Sequence, residues 1–250
     1  MKYPEFQQII DTMDKAGYDY KKEVANIEKR RIDVANGTKI SLEEHIKAMV
    51  YSLLSDQRVW NDLVPHMSQI DNNIFAKYDV SILKNKKPDD LVKEITEIKC
   101  GNMKIRKQMK DLKNNIEQLE QIERKEVGGI DGYYRSPDKV ALVKSLSEGH
   151  YKLNWMGVAL VCEYLKGVGV NTIKPDSLLM RLLNRLGYAK KATDCWEAIR
   201  ICEDIAQEYG LSMPMVDTIL WQYCARGKFE VCTDDPKCAI CGVKNCPSRK

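Results

Sequence analysis

The chain lacks the features that mark membrane-spanning and secreted proteins. Nowhere does it contain eighteen consecutive apolar residues, so the sequence predicts no membrane span. It begins without an apolar signal segment and has an odd number of cysteines, nine, which predicts an intracellular, cytoplasmic protein rather than a disulfide-stabilised secreted one. The three histidines, His45, His66 and His150, have no spacing typical of a metal site or a catalytic triad.

Alternation of apolar and polar residues, the mark of a half-buried strand, is also absent. Glycine and proline are few, 14 and 8 residues, and fall between segments with helical periodicity. Residues 41–44, Ser-Leu-Glu-Glu, form a capping-box pattern, and residues 127–132 are the clearest predicted linker. The sequence therefore predicts an all-α protein with a cysteine-rich tail. Helices are predicted within 3–34, from 41, from 88, and at 102–126, 137–146, 154–166, 175–187, 194–209 and 213–225.

Four cysteines are concentrated near the C-terminus in the order Cys232-x5-Cys238-x2-Cys241-x4-Cys246. Thiolate sulfur is the ligand that zinc and iron–sulfur clusters select. A zinc ribbon usually has two Cys-x2-Cys pairs a dozen or more residues apart, whereas this tail has one pair flanked by single cysteines. The spacing favours a [4Fe–4S] cluster, with disulfides or free thiols as the alternative. The remaining cysteines are predicted core residues: Cys100, Cys162, Cys195, Cys202 and Cys224.

Several segments follow one another in the order found in one protein family. The tail resembles the cluster loop of endonuclease III-type DNA glycosylases, although it is shorter by one residue on each side of the Cys-x2-Cys pair. Residues 54–57, Leu-Ser-Asp-Gln, resemble the family's early Leu-Ser-x-Gln element. Two further motifs resemble those of the family. The first is a Gly…Arg-Lys segment, here Gly101, Arg106 and Lys107. The second is an aspartate followed by Arg-x-x-x-Arg-Leu-Gly, here Asp176, Arg181, Arg185, Leu186 and Gly187.

Over roughly residues 40–246 the chain thus resembles the helix-hairpin-helix glycosylase superfamily. The resemblance implies a two-lobed all-α fold, with a six-helix lobe at 41–165 that contains the hairpin. The second lobe is formed by 1–40 and 166–250 and includes the cluster loop 232–246. It further implies a monomer that binds double-stranded DNA, not membrane, and excises a damaged, mispaired or modified base flipped from the duplex. The cysteines assigned to the cluster are Cys232, Cys238, Cys241 and Cys246.

The catalytic carboxylate that the resemblance implies is Asp176. Breaking an N-glycosidic bond builds positive charge on the sugar, and a carboxylate beside the anomeric carbon stabilises that charge and can activate water. Pro175 precedes this residue, and a position at a helix start keeps a carboxylate ionised. The alternative is an ordinary helix-starting signature, in which Asp176 is only a cap.

Strand-cleaving family members also use a lysine in the hairpin, which forms a Schiff base with the sugar. The corresponding positions here are Met156, Gly157 and Val158, and Lys152 lies too early. The sequence therefore predicts a monofunctional glycosylase, in which Lys152 is a phosphate contact or a solvated residue.

The hairpin reads Leu-x-Gly-apolar-Gly in the family, where backbone N–H groups bind a DNA phosphate. It corresponds here to residues 153–157, Leu-Asn-Trp-Met-Gly. One glycine is kept, and Asn154 is expected to supply the left-handed backbone conformation because asparagine tolerates it. The predicted DNA contacts in this segment are Lys152, Asn154, Trp155 and Gly157.

The resemblance makes Gln57 the side chain that fills the gap left by a flipped base, with an exposed polar residue at a helix end as the alternative. Arg106 and Lys107 are predicted DNA contacts within a basic segment, although the net charge is only +4. Around the cluster loop, Lys228, Lys237 and Lys244 are expected to face phosphate. Candidate rings for base stacking, with core packing as the alternative, are Tyr51, Trp60, Trp155, Tyr133 and Tyr134.

Two other function classes stay open. One is a non-catalytic iron–sulfur DNA-binding relative of the same fold, which the altered hairpin favours. The other is an unrelated helical protein whose zinc-binding tail contacts a partner. An iron–sulfur protein is coloured and a zinc protein is not, so colour separates the second class from the first.

Overall fold

The computed structural model describes residues 2–58 and 60–249, and within these ranges all regular secondary structure is helical, with no strand. The prediction of an all-α protein is therefore confirmed. The same residues contain no helix long and apolar enough to cross a membrane. The α-helices in these ranges are α1 Pro4–Lys15, α2 Tyr20–Ala35, α3 Leu42–Leu54, α4 Met67–Gln69, α5 Val80–Asn85, α6 Pro88–Glu97, α7 Ile105–Lys125, α8 Gly129–Tyr134, α9 Lys139–Ser147, α10 Val158–Gly167, α11 Ser177–Arg185, α12 Cys195–Tyr209 and α13 Met213–Cys224.

The chain divides into two compact units. Unit 1 is formed by Met1–Ala35 together with Asn171–Lys250, and unit 2 by Asn36–Val170. The predicted division lay at residues 40 and 165, so each boundary differs by five residues. The first boundary follows the end of α2, and the second follows α10, which belongs entirely to unit 2.

In unit 2, helix α3 lies in the core and is capped as predicted. The Ser41 hydroxyl accepts a hydrogen bond from the Glu44 amide at 3.2 Å, and the Glu44 carboxylate accepts one from the Ser41 amide at 3.1 Å. These two bonds satisfy amide groups that a helix start leaves without partners. Most apolar residues of α3 are fully buried, and the Ser52 hydroxyl donates to the Leu160 carbonyl of α10 at 2.6 Å.

Helix α7 has 21 residues and is amphipathic. Its apolar residues recur every three or four positions and are buried against α3 and α6, which is the pattern of a helix lying on a core. The opposite face is exposed and basic, with Arg106, Lys107, Lys110 and Lys113. This face gives unit 2 a positively charged surface.

The linker predicted at residues 127–132 is wrong, because the structure has helix α8 there. Ile130 and Tyr134 of α8 are buried, which stabilises a helix despite the glycines around it. Gly132 is required by packing, since a Cβ atom at this position would collide with the carbonyl oxygen of Val127. The glycines that predicted a flexible linker thus allow the backbone at Gly132 to pack closely against the Val127 carbonyl.

Unit 1 joins the first two helices to the last three. The predicted N-terminal stretch is split into α1 and α2 at Gly17, whose φ of +66° favours glycine. Helix α13 packs against α1, α2, α11 and α12. Hydrogen bonds also connect the two parts of the chain, from the Tyr3 hydroxyl to Asp204 at 3.0 Å and from the Ser212 hydroxyl to Glu28.

Candidate functional site

The four cysteines of the tail line one cavity in unit 1. This space of about 330 Å³, part of it open to solvent, is bounded by Cys232, Cys238, Cys241 and Cys246. Each of these cysteines is a free thiol, so none is held in a disulfide. Among the residues that the structure describes, no group of three or more His, Cys, Asp or Glu side chains is placed to hold a single metal ion.

Two arginines of α11 hold the cysteine loop. Arg185 donates hydrogen bonds to the carbonyl oxygens of Thr233 and Asp234, and Arg181 pairs with the Asp234 carboxylate. Arg181 also donates to the Cys232 carbonyl at 3.4 Å. Because these arginines are four residues apart, they lie on the same face of α11 and contact one short stretch of the loop.

Hydrogen bonding lowers the pKa of Cys232. The Cys224 thiol donates to the Cys232 sulfur, and Arg185 Nη1 lies 3.4 Å from that sulfur. These bonds and the charges of Arg185 and Arg181 outweigh burial and lower the pKa of Cys232 to about 6. The same bond and burial raise the pKa of Cys224 well above the ordinary range. Cys232 is therefore mainly a thiolate at neutral pH, the form that binds metal.

The remaining cavity lining suits a thiolate-bound group. The Tyr223 hydroxyl donates to the Cys241 sulfur at 3.2 Å, so a second cysteine also accepts a hydrogen bond. The other lining residues include three cations, Arg185, Lys237 and Arg249, and no carboxylate. Any centre ligated by four thiolates is anionic, and its surroundings here are complementary in charge.

Asp176 is the N-cap of helix α11. Its Oδ1 atom accepts hydrogen bonds from the amides of Leu178 and Leu179, each at 3.0 Å. The side chain is half-buried, and the preceding Pro175 is buried with its carbonyl oxygen 3.7 Å from the Cys195 sulfur. The cap orients the carboxylate at the positive end of the α11 dipole, where the ionised form is stabilised.

The three lysines expected to face phosphate near the loop differ in their surroundings. Lys228 forms an ion pair with Glu23 at 3.0 Å and its side chain is only 14% exposed, so the expectation for this residue is wrong. Lys237 and Lys244 are exposed. The anion partner of Lys228 is supplied by α2 of its own unit.

In unit 2, Gln57 lies at the tip of the turn that follows α3. It is exposed and has a φ of +55°, an uncommon conformation for a residue other than glycine. The turn is held from both sides: Lys104 pairs with Asp56 at 2.9 Å, and the Arg58 guanidinium donates to the carbonyl oxygens of Lys99 and Gly101. A strained, well-anchored and exposed side chain is the kind of feature found at ligand-binding sites.

The hairpin turn at residues 153–157 differs from the expectation in one respect. The left-handed residue is Trp155, with a φ of +64°, and Asn154 is not in that region. The reason is a pair of hydrogen bonds from buried Asn115, which accepts from the Asn154 amide at 2.6 Å and donates to its carbonyl at 3.1 Å. These bonds hold the backbone of Asn154, so the next residue makes the reversal.

Gly157 is the N-cap of α10, with a φ of −77° that any residue can adopt. A Cβ atom at this position would meet nothing within 4 Å. Neither the backbone nor the packing of the described residues requires glycine here, and the space above it is open. Lys152, on the same loop, is exposed.

Helix α7 brings the two turns of unit 2 together. Lys104 contacts the Gln57 turn through Asp56, while Asp111 and Asn115 contact the hairpin turn. Lys104 is the N-cap residue of α7, and residues 111 and 115 lie four positions apart on one face of the helix, so both turns contact the first half of α7. Of the other predicted contacts on α7, Arg106 is exposed with a long 3.7 Å ion pair to Asp89, and Lys107 faces the ring of Trp155.

Two of the proposed base-stacking rings are core residues. Tyr134 is 5% exposed and its hydroxyl is hydrogen-bonded to that of buried Tyr164 at 3.0 Å. Tyr51 is 8% exposed and donates to Asp71 at 2.7 Å. Their ring faces are covered by protein, so the prediction that either stacks on a base is wrong for this conformation.

Of the other three proposed rings, Trp155 is exposed, and Trp60 and Tyr133 are half-buried. Trp60 lies edge-on to the Tyr51 ring, with centroids 6.0 Å apart, and the Tyr133 hydroxyl donates to Ser145 at 2.7 Å. Of the histidines, His45 is buried in the core of unit 2 with its Nδ1 2.9 Å from the Tyr164 hydroxyl. His150 is exposed.

Sequence reasoning missed the residues that surround the thiols. Cys224 was predicted as a core residue and is buried, but its bond to Cys232 depends on the loop folding back onto α13. Arg181 and Arg185 were noted only as letters of a motif. The sequence signal for their shared role was their spacing of four residues, which puts both arginines on one face of the helix that follows Asp176.

No protein-family model, no curated protein and no solved structure gives a match to this chain.

Proposed function

We propose that the protein is a DNA N-glycosylase that acts as an intracellular monomer and excises a damaged, mispaired or modified base from double-stranded DNA. The observation that carries the proposal is the arrangement of α11. Asp176 caps its N-terminus, and Arg181 and Arg185, farther along the same helix, hold a loop whose four cysteines share one cavity. A single helix of nine residues, roughly 14 Å long, thus joins the candidate carboxylate to the candidate cofactor site.

The chemistry assigned to Asp176 is stabilisation of the sugar cation. As the N-glycosidic bond breaks, its electron pair leaves with the base, and a water molecule supplies the hydroxyl that ends on the anomeric carbon. A carboxylate fixed beside that carbon lowers the energy of the cation and accepts a proton from the water. The hydrogen bonds from Leu178 and Leu179 restrict the side-chain rotamer, which is the preorganisation that such a role needs.

DNA binding is assigned to the exposed basic side of α7 and the two turns beside it. Lys107, Lys110 and Arg106 supply positive charge, and the open space above Gly157 lets a phosphate approach the first amides of α10. Gln57, exposed at a rigid turn, is the proposed wedge that replaces the flipped base. These features support contact with the DNA backbone and with the space that a flipped base leaves in the duplex.

Cys232, Cys238, Cys241 and Cys246 would hold a [4Fe–4S] cluster. Such a cluster, when bound, supplies electron-transfer capacity and a rigid cross-link between the four sulfurs. The chain's own residues do the remaining work: Arg181 and Arg185 neutralise and position the loop, and Cys224 and Tyr223 donate hydrogen bonds to two of the sulfurs. Lys237 and Lys244, exposed on the loop, are proposed phosphate contacts.

Strand cleavage is not part of the proposal. A Schiff base requires a lysine amine at the sugar, and the residues at the family's lysine position are apolar or glycine. Lys152 is exposed on the hairpin loop and is assigned to phosphate contact.

The test is an excision assay on labelled duplexes that carry a panel of damaged, mispaired and modified bases, with and without hot alkali. Wild type is compared with Asp176→Asn and Asp194→Asn. Asp194 caps α12 with the same geometry, accepting from two amides at 3.0 Å each, so it controls for loss of a charged cap. Asparagine is as good a cap as aspartate, and both variants should fold.

Breaks that require alkali, persist in Asp194→Asn and fall at least a hundredfold in Asp176→Asn are the expected result. Breaks without alkali would contradict the monofunctional assignment and implicate Lys152. Equal activity of the two variants would remove Asp176 from the mechanism.

One observation favours a second candidate, a non-catalytic DNA-binding protein of the same fold. Asp176 and Asp194 each accept two cap hydrogen bonds at 3.0 Å, so these bonds of Asp176 are the ones that an ordinary helix cap makes. Duplex binding without excision of any base in the panel would support this candidate. A colourless protein that contains stoichiometric zinc would instead favour the helical protein with a zinc-binding tail.

A further inference from the structure

Trp155 has a backbone conformation that is unfavourable for its own side chain. Its φ of +64° is strained for a bulky side chain, and glycine is the residue that normally occupies such a turn. The ring is also left 38% exposed, so it contributes less to the core than a buried tryptophan would. A strained and exposed aromatic side chain is a candidate for a binding role.

The ring is nevertheless held in one orientation. Trp155 Nε1 donates to Asp111 at 2.6 Å, and Asp111 in turn accepts from Asn114 at 3.1 Å. Lys107 Nζ lies 5.2 Å from the ring centroid, within the range of a cation–π interaction. The turn below the ring is fixed by the two hydrogen bonds of Asn115. The platform is therefore preorganised, which reduces the entropy lost on binding.

The charges around the ring identify the ligand class. Lys107 and Lys110 are exposed on α7, and Lys152 is exposed three residues before Trp155. The Asp111 carboxylate beside the ring is already hydrogen-bonded to Trp155 and Asn114. An aromatic surface bordered by lysines matches a nucleotide, whose base stacks while its phosphates meet the cations.

A base inside a duplex has both faces covered by its neighbours, so it cannot stack on a side chain as well. We propose that the hairpin turn binds DNA at an unpaired nucleotide, whose base stacks on Trp155 while Lys107 and Lys152 contact the adjacent phosphates. This inference rests on the proposed function and deepens it, because it assigns the enzyme to DNA in which a strand is locally open near the target base. The nucleotide that stacks on Trp155 is not the one whose base would be excised.

The test measures binding of three labelled ligands by fluorescence anisotropy: an oligodeoxythymidylate, an abasic oligomer of the same length, and a blunt duplex. Wild type should bind the base-bearing strand about tenfold more tightly than the abasic strand, since stacking on one aromatic side chain has this magnitude. The base-bearing strand should also quench the tryptophan fluorescence more strongly.

Trp155→Gly separates stacking from folding. Glycine adopts a φ of +64° without strain, which offsets part of the packing and of the Asp111 hydrogen bond lost with the ring. The variant should therefore still unfold cooperatively, while the preference for the base-bearing strand is lost. Trp155→Asn, which also tolerates this conformation, serves as the second variant. Lys107→Gln should weaken binding of both single strands alike, because its phosphate contact does not depend on the base.

Equal affinity of wild type for the base-bearing and abasic strands would overturn the proposal for Trp155 and leave base excision standing. Failure to bind any of the three ligands would overturn DNA binding itself, and with it both proposals. A Trp155→Gly protein that unfolds at a lower temperature and keeps the base preference would assign the tryptophan to a purely structural role.

Discussion

Individual residues in this protein are constrained by very close contacts. Gly132 faces the carbonyl oxygen of Val127 with no room for a methyl group, whereas Gly157 faces open space with an ordinary φ. The same substitution should therefore change stability strongly at Gly132 and very little at Gly157.

Gly132→Ala is expected to destabilise the protein by about 1–3 kcal/mol, because backbone must move to relieve the overlap. Gly157→Ala should change stability by less than about 0.5 kcal/mol. Urea unfolding followed by circular dichroism measures both. If Gly132→Ala unfolds at the wild-type urea concentration, the tight packing of α8 is wrong.

The Cys232 thiol should be unusually reactive in metal-free protein. With a pKa of about 6 it is mostly thiolate at pH 7 and mostly protonated at pH 5, whereas an ordinary thiol near 8.5 is protonated at both. Iodoacetamide labelling followed by mass spectrometry should give a rate midpoint near pH 6 for this residue. In Cys224→Ala the hydrogen bond is lost, and the midpoint should move to higher pH. An unchanged midpoint would mean that Cys224 does not donate to Cys232.

At the scale of elements, the hairpin turn depends on one side chain. Asn115→Ala leaves the amide and the carbonyl of Asn154 without partners, and this should cost about 1–3 kcal/mol of stability. Hydrogen exchange should increase at residues 153–157. The neighbouring exposed Asn114, whose contact is a single bond to Asp111, provides the control.

Asn114→Ala should change stability by no more than about 0.5 kcal/mol. Equal effects of the two alanine substitutions would contradict the role of Asn115 in holding the turn.

The sequence predicts elements well where local signals agree. Ser41 and Glu44 form the expected capping box, and the five predicted helices from residue 137 onward begin within four residues of their observed starts. The largest difference is at α10, where residues 153–157 form the hairpin turn and delay the helix. Here periodicity alone does not mark the boundary, because Leu153 and Met156 are buried as helix residues would be.

Prediction fails where distant residues decide the backbone. Asn154 was expected to be left-handed because of its residue type, although the pattern Leu-x-Gly-apolar-Gly puts its first glycine at position 155. The structure has the reversal there, at Trp155, and Asn115, far away in sequence, holds Asn154. Residues 76–78 are all left-handed and follow a π-helix at Ile70–Ile74, and no local pattern announced either. The same limit applies to the candidate site: spacing singled out the four cysteines and the family resemblance singled out Asp176, but the surroundings of Cys232 require the folded chain.

At the scale of the whole molecule, unit 2 is one continuous stretch of chain and unit 1 is not. Unit 2 has its own core around α3, α7 and α10, with hydrogen bonds such as that from Ser52 to Leu160 inside it. A fragment of residues 36–170 should therefore fold alone, with cooperative thermal unfolding and a helical circular dichroism spectrum. A fragment that is helical but melts without cooperativity would contradict an independent core.

The divided unit 1 has a consequence for biosynthesis. Phe6, Ile9 and Val24 lie on α1 and α2, which leave the ribosome well before α13, the helix that packs against them. At ~5–20 residues per second, these apolar side chains wait roughly 10 to 40 s for that partner. The nascent chain therefore exposes this apolar surface until α13 has been synthesised, and this interval is when the surface is most accessible to aggregation and to chaperones.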